Sequence, residues 1–200
     1  MRCLRLPSRV AAHRALLPRA QELLLANGVT SSAAVADFAW QLTLAQHRCD
    51  HIPGCCDGLT KDELVLVRQP QALFVCVHNA GRSQMAAALA HKISDGRVVA
   101  LSAGSGPRAV VNPMAVQAML EVGHEDIGVA YPKPLLDEIV EASDIAITMG
   151  CGDACPIFST TQYDDWALDD PHGQGIEPVR AIRDSIEERV HALVQELLRK

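Results

Sequence analysis

Two hundred residues, 48% of them hydrophobic, supply one well-buried core with room for a small second one, and no run of eighteen apolar residues is present to cross a bilayer. The formal charge is −6, with eight basic against six acidic residues up to position 68 and ten against eighteen after it; the resulting +2 and −8 argue against nucleic acid as a partner. Seven cysteines, an odd number, without a secretory signal pattern point to a reducing cytoplasm and to reactive or metal-bound thiols rather than a disulfide scaffold.

In chain order, residues 1–68 read as a small all-helical domain. The first twenty residues hold five arginines and no acid, which superficially suits a transit peptide, but the helical apolar pattern runs on past any plausible cleavage point. A helix is expected from about Val10 to Asn27, interrupted or kinked at Pro18 and stopped by Asn27-Gly28. A second starts at the Thr30-Ser31-Ser32 cap and runs to about His47, and a third begins at Thr60. The loop between them gathers His47, Cys49, His51, Cys55 and Cys56, adequate zinc ligands in kind but irregular in spacing, so no metal is assigned there.

From Gln71 onward strands and helices alternate, the pattern of a parallel sheet covered on both faces. Strands are expected at Ala72 to Val77, Val98 to Ser102, Ile145 to Thr148 and Asp165 to Leu168, and helices at Ser83 to Ser94, Pro113 to Val122, Pro134 to Ala142 and Ile176 to Leu198. An open sheet of this kind gathers ligands at the carboxyl ends of its strands, where Cys76, Ser102 to Gly104 and Gly150-Cys151 all fall.

Cys76 ends the first strand, and Val77, His78, Asn79, Ala80 and Gly81 separate it from Arg82 and Ser83 at the start of a helix. Five intervening residues suffice to curl the backbone so that successive N–H groups converge, and the helix adds its positive end, giving a cradle for a tetrahedral oxyanion. The same field favours the anionic, nucleophilic form of the Cys76 thiol. Cys3 and Arg9 have the same separation, but Pro7 removes a donor and no strand precedes Cys3, so that copy is accidental.

With Leu101-Ser-Ala-Gly-Ser105, Ser143-Asp-Ile-Ala-Ile-Thr-Met-Gly-Cys151 and Asp169-Asp-Pro171, the loop from Cys76 to Ser83 resembles the low-molecular-weight protein tyrosine phosphatase family in its thioredoxin-coupled arsenate reductase branch. The resemblance covers residues 71–200, implies a small three-layer parallel-sheet α/β domain, and leaves the helical N-terminal domain without a role. It maps the nucleophile onto Cys76, the anion-gripping arginine onto Arg82, the supporting hydroxyl onto Ser83 and the general acid onto Asp170. The implied redox thiols are Cys151 and Cys155, with three residues between them where a longer gap is expected. Arsenate is then the substrate, thioredoxin or a similar dithiol the reductant, and no cofactor is needed. Ala86, Ala87 and Ala88 stand where some relatives carry an acid that supports potassium, so no such site is expected.

Two rivals remain. A tyrosine phosphatase would line its entrance with aromatic rings after the Asp-Pro pair, where this chain has His172-Gly173 and only 4% aromatic residues overall. An arsenic- or redox-responsive binding module would instead use Cys49, Cys55 and Cys56.

Overall fold

The structure, a computed structural model, describes residues 9–47, 69–124, 126–150 and 155–199. Four parallel strands, β1 (Gln71–Cys76), β2 (Val99–Gly104), β3 (Ile145–Thr148) and β4 (Gln162–Asp165), form one sheet in the order β2-β1-β3-β4. The helices are α1 (Arg9–Leu25), α2 (Ser32–His47), α3 (Arg82–Ile93), α4 (Pro113–Glu121), α5 (Asp137–Ala142) and α6 (Ile176–Leu197). The expected three-layer α/β arrangement is present. No helix among the described residues is long and apolar enough to cross a membrane.

Strand alternation divides the core. Ala72, Phe74 and Cys76 of β1, with Ile145 and Ile147 of β3, face α3, α4 and α6. Leu73, Val75, Leu101, Ala103 and Ala146 face the other way, under α5 and a helical hairpin of α1 and α2 that contributes Ala20, Leu24, Phe38 and Leu42. The hairpin thus shares its apolar core with the sheet. Its turn follows from Asn27-Gly28: Gly28 adopts φ +78, and Val29 N–H reaches the Leu24 carbonyl at 2.9 Å, a glycine-terminated helix end.

Several expected boundaries shift, each for a tertiary reason. α1 runs through Pro18 as one element. α5 begins at Asp137 rather than Pro134, because Pro134 pairs with Gly104 as an extra bridge at the β2 edge. β4 lies at Gln162–Asp165, three residues before the expected strand, because its four exposed polar residues carry no apolar alternation; buried Trp166 just beyond it supplied that signal. A short 3₁₀ turn at Ile127–Val129 went unforeseen. The helix expected from Thr60 and the Cys49 to Cys56 loop lie outside the described residues.

Candidate active site

Cys76 closes the central strand, 2% exposed, and the chain then curls through Val77 to Gly81 into α3. Gly81 caps α3 without a side-chain hydrogen bond, leaving the first N–H groups of the helix open toward the loop. Neighbouring segments hold the curl from outside. Gly106 N–H donates to Val77 O at 2.8 Å, Arg108 N–H to His78 O at 3.1 Å, and Asn112 N–H to Ala80 O at 2.7 Å. Gly104 must be glycine, since a Cβ there would stand 2.7 Å from the Val77 carbonyl oxygen.

Inside the loop a chain of hydrogen bonds ends on the sulfur. Lys133 N–H donates to Asn79 Oδ1 at 2.8 Å, and Asn79 Nδ2 donates to Ser83 Oγ at 2.8 Å. Ser83 Oγ lies 3.0 Å from Cys76 Sγ. Ser83 accepts from Asn79 and still has its own hydrogen to offer, so it can donate to the Cys76 sulfur. Asn79 is fully buried with φ +45, a left-handed conformation that asparagine tolerates, and its Oδ1 also accepts from Gln84 Nε2 at 3.1 Å. Gln84 Nε2 further reaches the carbonyls of Asn79 at 3.1 Å and Tyr131 at 3.0 Å.

Arg82, the first residue of α3, is 6% exposed and lies beside the loop that precedes Asp170. Its Nη1 donates to Leu168 O at 3.1 Å, and its Nη2 stands 3.7 Å from Asp170 Oδ1. Pro171 packs on Gly81, whose Cβ, were it present, would meet Pro171 Cγ at 2.8 Å. Asp170 Oδ1 also accepts from His172 N–H at 3.1 Å. Cys76, Arg82 and Asp170 therefore line one open cleft of about 430 Å³, with Val110, Val111 and Met114 on an apolar wall. The neighbouring acid Asp169 is exposed and not part of the lining.

Arg108, His172 and His78 sit at the mouth. The Arg108 guanidinium lies against the His172 ring, with two nitrogen pairs each 3.1 Å apart, and the His78 and His172 rings meet edge-on at 6.3 Å. His78 Nδ1 lies 3.2 Å from Gly106 O. Asn112 was missed although Asn-Pro is a legible helix start: it caps α4 through Met114 N–H at 2.9 Å. Of the two expected redox thiols, Cys155 is half-buried against the hairpin-side core, and Cys151 lies outside the described residues. Gly150 just before it has φ +70, and its missing Cβ would stand 3.0 Å from Arg82 Nη1, so that segment starts beside the guanidinium.

Comparisons with known proteins agree with this geometry. A putative arsenate reductase from Halobacterium salinarum is 42% identical over 128 residues, 62% of this chain and 89% of that protein. The glutaredoxin arsenate reductase of Synechocystis is 35% identical over 130 residues, 64% of this chain and 98% of its own. Among solved structures, the thioredoxin-dependent arsenate reductase of Corynebacterium glutamicum superposes with a TM-score of 0.72 at 31% identity, covering 91% of this chain and 84% of that one. That coverage exceeds what residues 71–200 can supply, so the likeness extends into the helical hairpin. The family described as low molecular weight phosphotyrosine protein phosphatase matches residues 71–200, with the Cys76 to Ser83 loop and Asp170 facing one cleft, and the chain belongs to that family.

Proposed function

We propose that this chain reduces arsenate to arsenite with Cys76 as nucleophile. The observation that carries the reading is the run of hydrogen bonds from Lys133 through Asn79 and Ser83 to the Cys76 sulfur, facing Arg82 and Asp170 across one cleft. The backbone of Val77 to Arg82, with the Arg82 fork, holds three arsenate oxygens while the Cys76 thiolate attacks arsenic. Asp170 gives its proton to the departing oxygen, which leaves as water. Cys151 then attacks Cys76 Sγ; the sulfur–arsenic bond breaks, its electron pair stays on arsenic, and arsenite departs from a Cys76–Cys151 disulfide. Cys155 attacks Cys151 to free Cys76, and a thioredoxin-like dithiol reduces the resulting Cys151–Cys155 bond. The names of the relatives support both the substrate and a dithiol donor. A reducing cytoplasm suits such a cycle. Residues 1–68 are proposed as a separate helical domain that supplies none of the reacting groups.

The test measures arsenate turnover with thioredoxin, thioredoxin reductase and NADPH beside hydrolysis of an aryl phosphate. Cys151→Ser and Cys155→Ser should abolish sustained arsenate reduction and spare hydrolysis, whereas Cys76→Ser removes both. Equal loss of both activities in Cys151→Ser would defeat the relay. Hydrolysis of an organic phosphate is the second reading, favoured by a cleft with an apolar wall larger than a bare oxyanion requires; robust aryl phosphate turnover without arsenate reduction would establish it.

A further inference from the structure

The nucleophile's hydrogen-bond chain does not end inside the family domain. Its outermost member is residues 131–133, a segment carried by the Gly104–Pro134 bridge, by Gly104 N–H to Lys133 O at 2.9 Å and by Leu135 N–H to Gly104 O at 2.9 Å. This segment gives Lys133 N–H to Asn79 and takes Gln84 Nε2 on the Tyr131 carbonyl. From its other side, the Tyr131 hydroxyl donates to Asp37 Oδ2 in α2 of the hairpin. Lys133 Nζ donates to Tyr131 O at 3.2 Å and lies 4.7 Å from the centre of the Tyr131 ring.

Tyr131 and Leu135 also pack on the apolar core that the hairpin shares with the sheet. Beside that packing lies a cleft of about 570 Å³, bordered by Ser31, Ala34 and Asp37 and by Ala109, Tyr131 and Lys133. The Asp37–Tyr131 bond stands at its edge, where it adds a directional contact that apolar packing does not supply.

The geometry points to Asp37 as a positioning residue for Cys76, acting through Tyr131 on the segment that presents Lys133 N–H to Asn79. The inference rests on the reductase reading for the identity of the reaction, but not for the coupling. With Asp37 in place the segment is held at both ends of its polar network, Asn79 keeps its left-handed turn, and Ser83 keeps its hydrogen on the sulfur. Burial in this setting raises the Tyr131 hydroxyl well above the usual phenol range, with the Asp37 charge and hydrogen bond adding to it, so Tyr131 remains a donor at every pH of interest. Gln41 Nε2 also donates to Asp37 Oδ2 at 2.8 Å and holds the carboxylate oriented.

The experiment follows Cys76 directly in the full chain, by its iodoacetamide alkylation rate at neutral pH, read by peptide mass spectrometry, with inorganic phosphate as protecting ligand. Asp37→Ala and Tyr131→Phe should each slow Cys76 alkylation about fivefold, the effect of losing one well-placed hydrogen bond, and should raise the phosphate needed for half-protection by a similar factor. The double variant should be no slower than either single one. Asp37→Glu should return within about twofold of the native rate. Arg19→Gln removes a different polar contact between the hairpin and the domain, the ion pair with Glu138, and should leave the rate unchanged. A native-like rate in Asp37→Ala, failure of the glutamate rescue, or equal slowing by Arg19→Gln would overturn the assignment. Neither readout uses arsenate, so a chain that passes these tests but never reduces arsenate would refute the reaction and leave the coupling standing.

Discussion

Asn79 concentrates the most constraint of any single residue in the loop. It is fully buried, holds a left-handed backbone, and makes side-chain hydrogen bonds to Lys133, Gln84 and Ser83. Asn79→Ala strands the buried Lys133 N–H, at about 1–3 kcal/mol in general, removes the donor to Ser83, and leaves a β-carbon residue in a conformation that costs about 1 kcal/mol more. The variant should lose roughly 3 kcal/mol of stability by urea denaturation, with Cys76 alkylation slowed at least tenfold. Native-like stability would show that the loop's shape is held elsewhere. Cys76, Arg82, Ser83, Asn79 and Asp170 were legible in the sequence because each belongs to a short motif whose chemistry is local. Gln84, Arg108, Tyr131 and Lys133 were not. Their roles depend on backbone groups that only the folded sheet brings beside the loop, and no spacing along the chain announces such a meeting.

At the scale of elements, the four strands and the helices that follow them were readable from period and propensity, and the misplacements fall where pairing overrules pattern. β4 is polar and exposed along its length, so only its register with β3 defines it. Pro134 reads as a helix start, but its bridge to Gly104 keeps it extended. That segment also carries a charge inside the fold. Burial pushes Lys133 down to about 8 from 10.5, the Asp37 charge opposing the fall. Between those values the unfolded chain binds a proton that the folded chain does not. The sign follows directly: Lys133 makes stability rise as pH climbs from about 8 to 10.5, and penalises the fold fully below 8. Lys133→Met should be relatively more stable at pH 7 than at pH 10, and denaturant midpoints at the two pH values should show a smaller rise for the variant than for the native chain. Identical rises would mean that the ammonium is not dehydrated in the fold.

For the whole molecule, the sequence separated residues 1–68 from 71–200 by composition, and this could not reveal that the hairpin lies on the sheet. Leu24, Phe38 and Leu42 cover Leu73, Val75, Leu101 and Ile139, so removing the hairpin bares one sheet face. At about 1.5–3 kcal/mol for each large side chain returned to water, a chain beginning at Pro70 should lose on the order of 5 kcal/mol and should bind an apolar dye such as ANS. Equal thermal stability of the short and full chains would show that the hairpin contributes no net cover.

β1 is an inner strand, flanked on both edges and roofed on both faces, and Cys76 is its last residue. Fraying at a terminus or breathing of a surface turn leaves such a strand untouched, since its amides reach solvent only when the entire sheet comes apart. Among the described residues, the sulfur opens on the cleft lined by Arg82, Asp170, Val110, Val111 and Met114. Peroxides, alkylators and small disulfides arriving through that cleft meet a guanidinium on one side and hydrocarbon on the other, so the architecture sorts reagents by charge and polarity before chemistry begins.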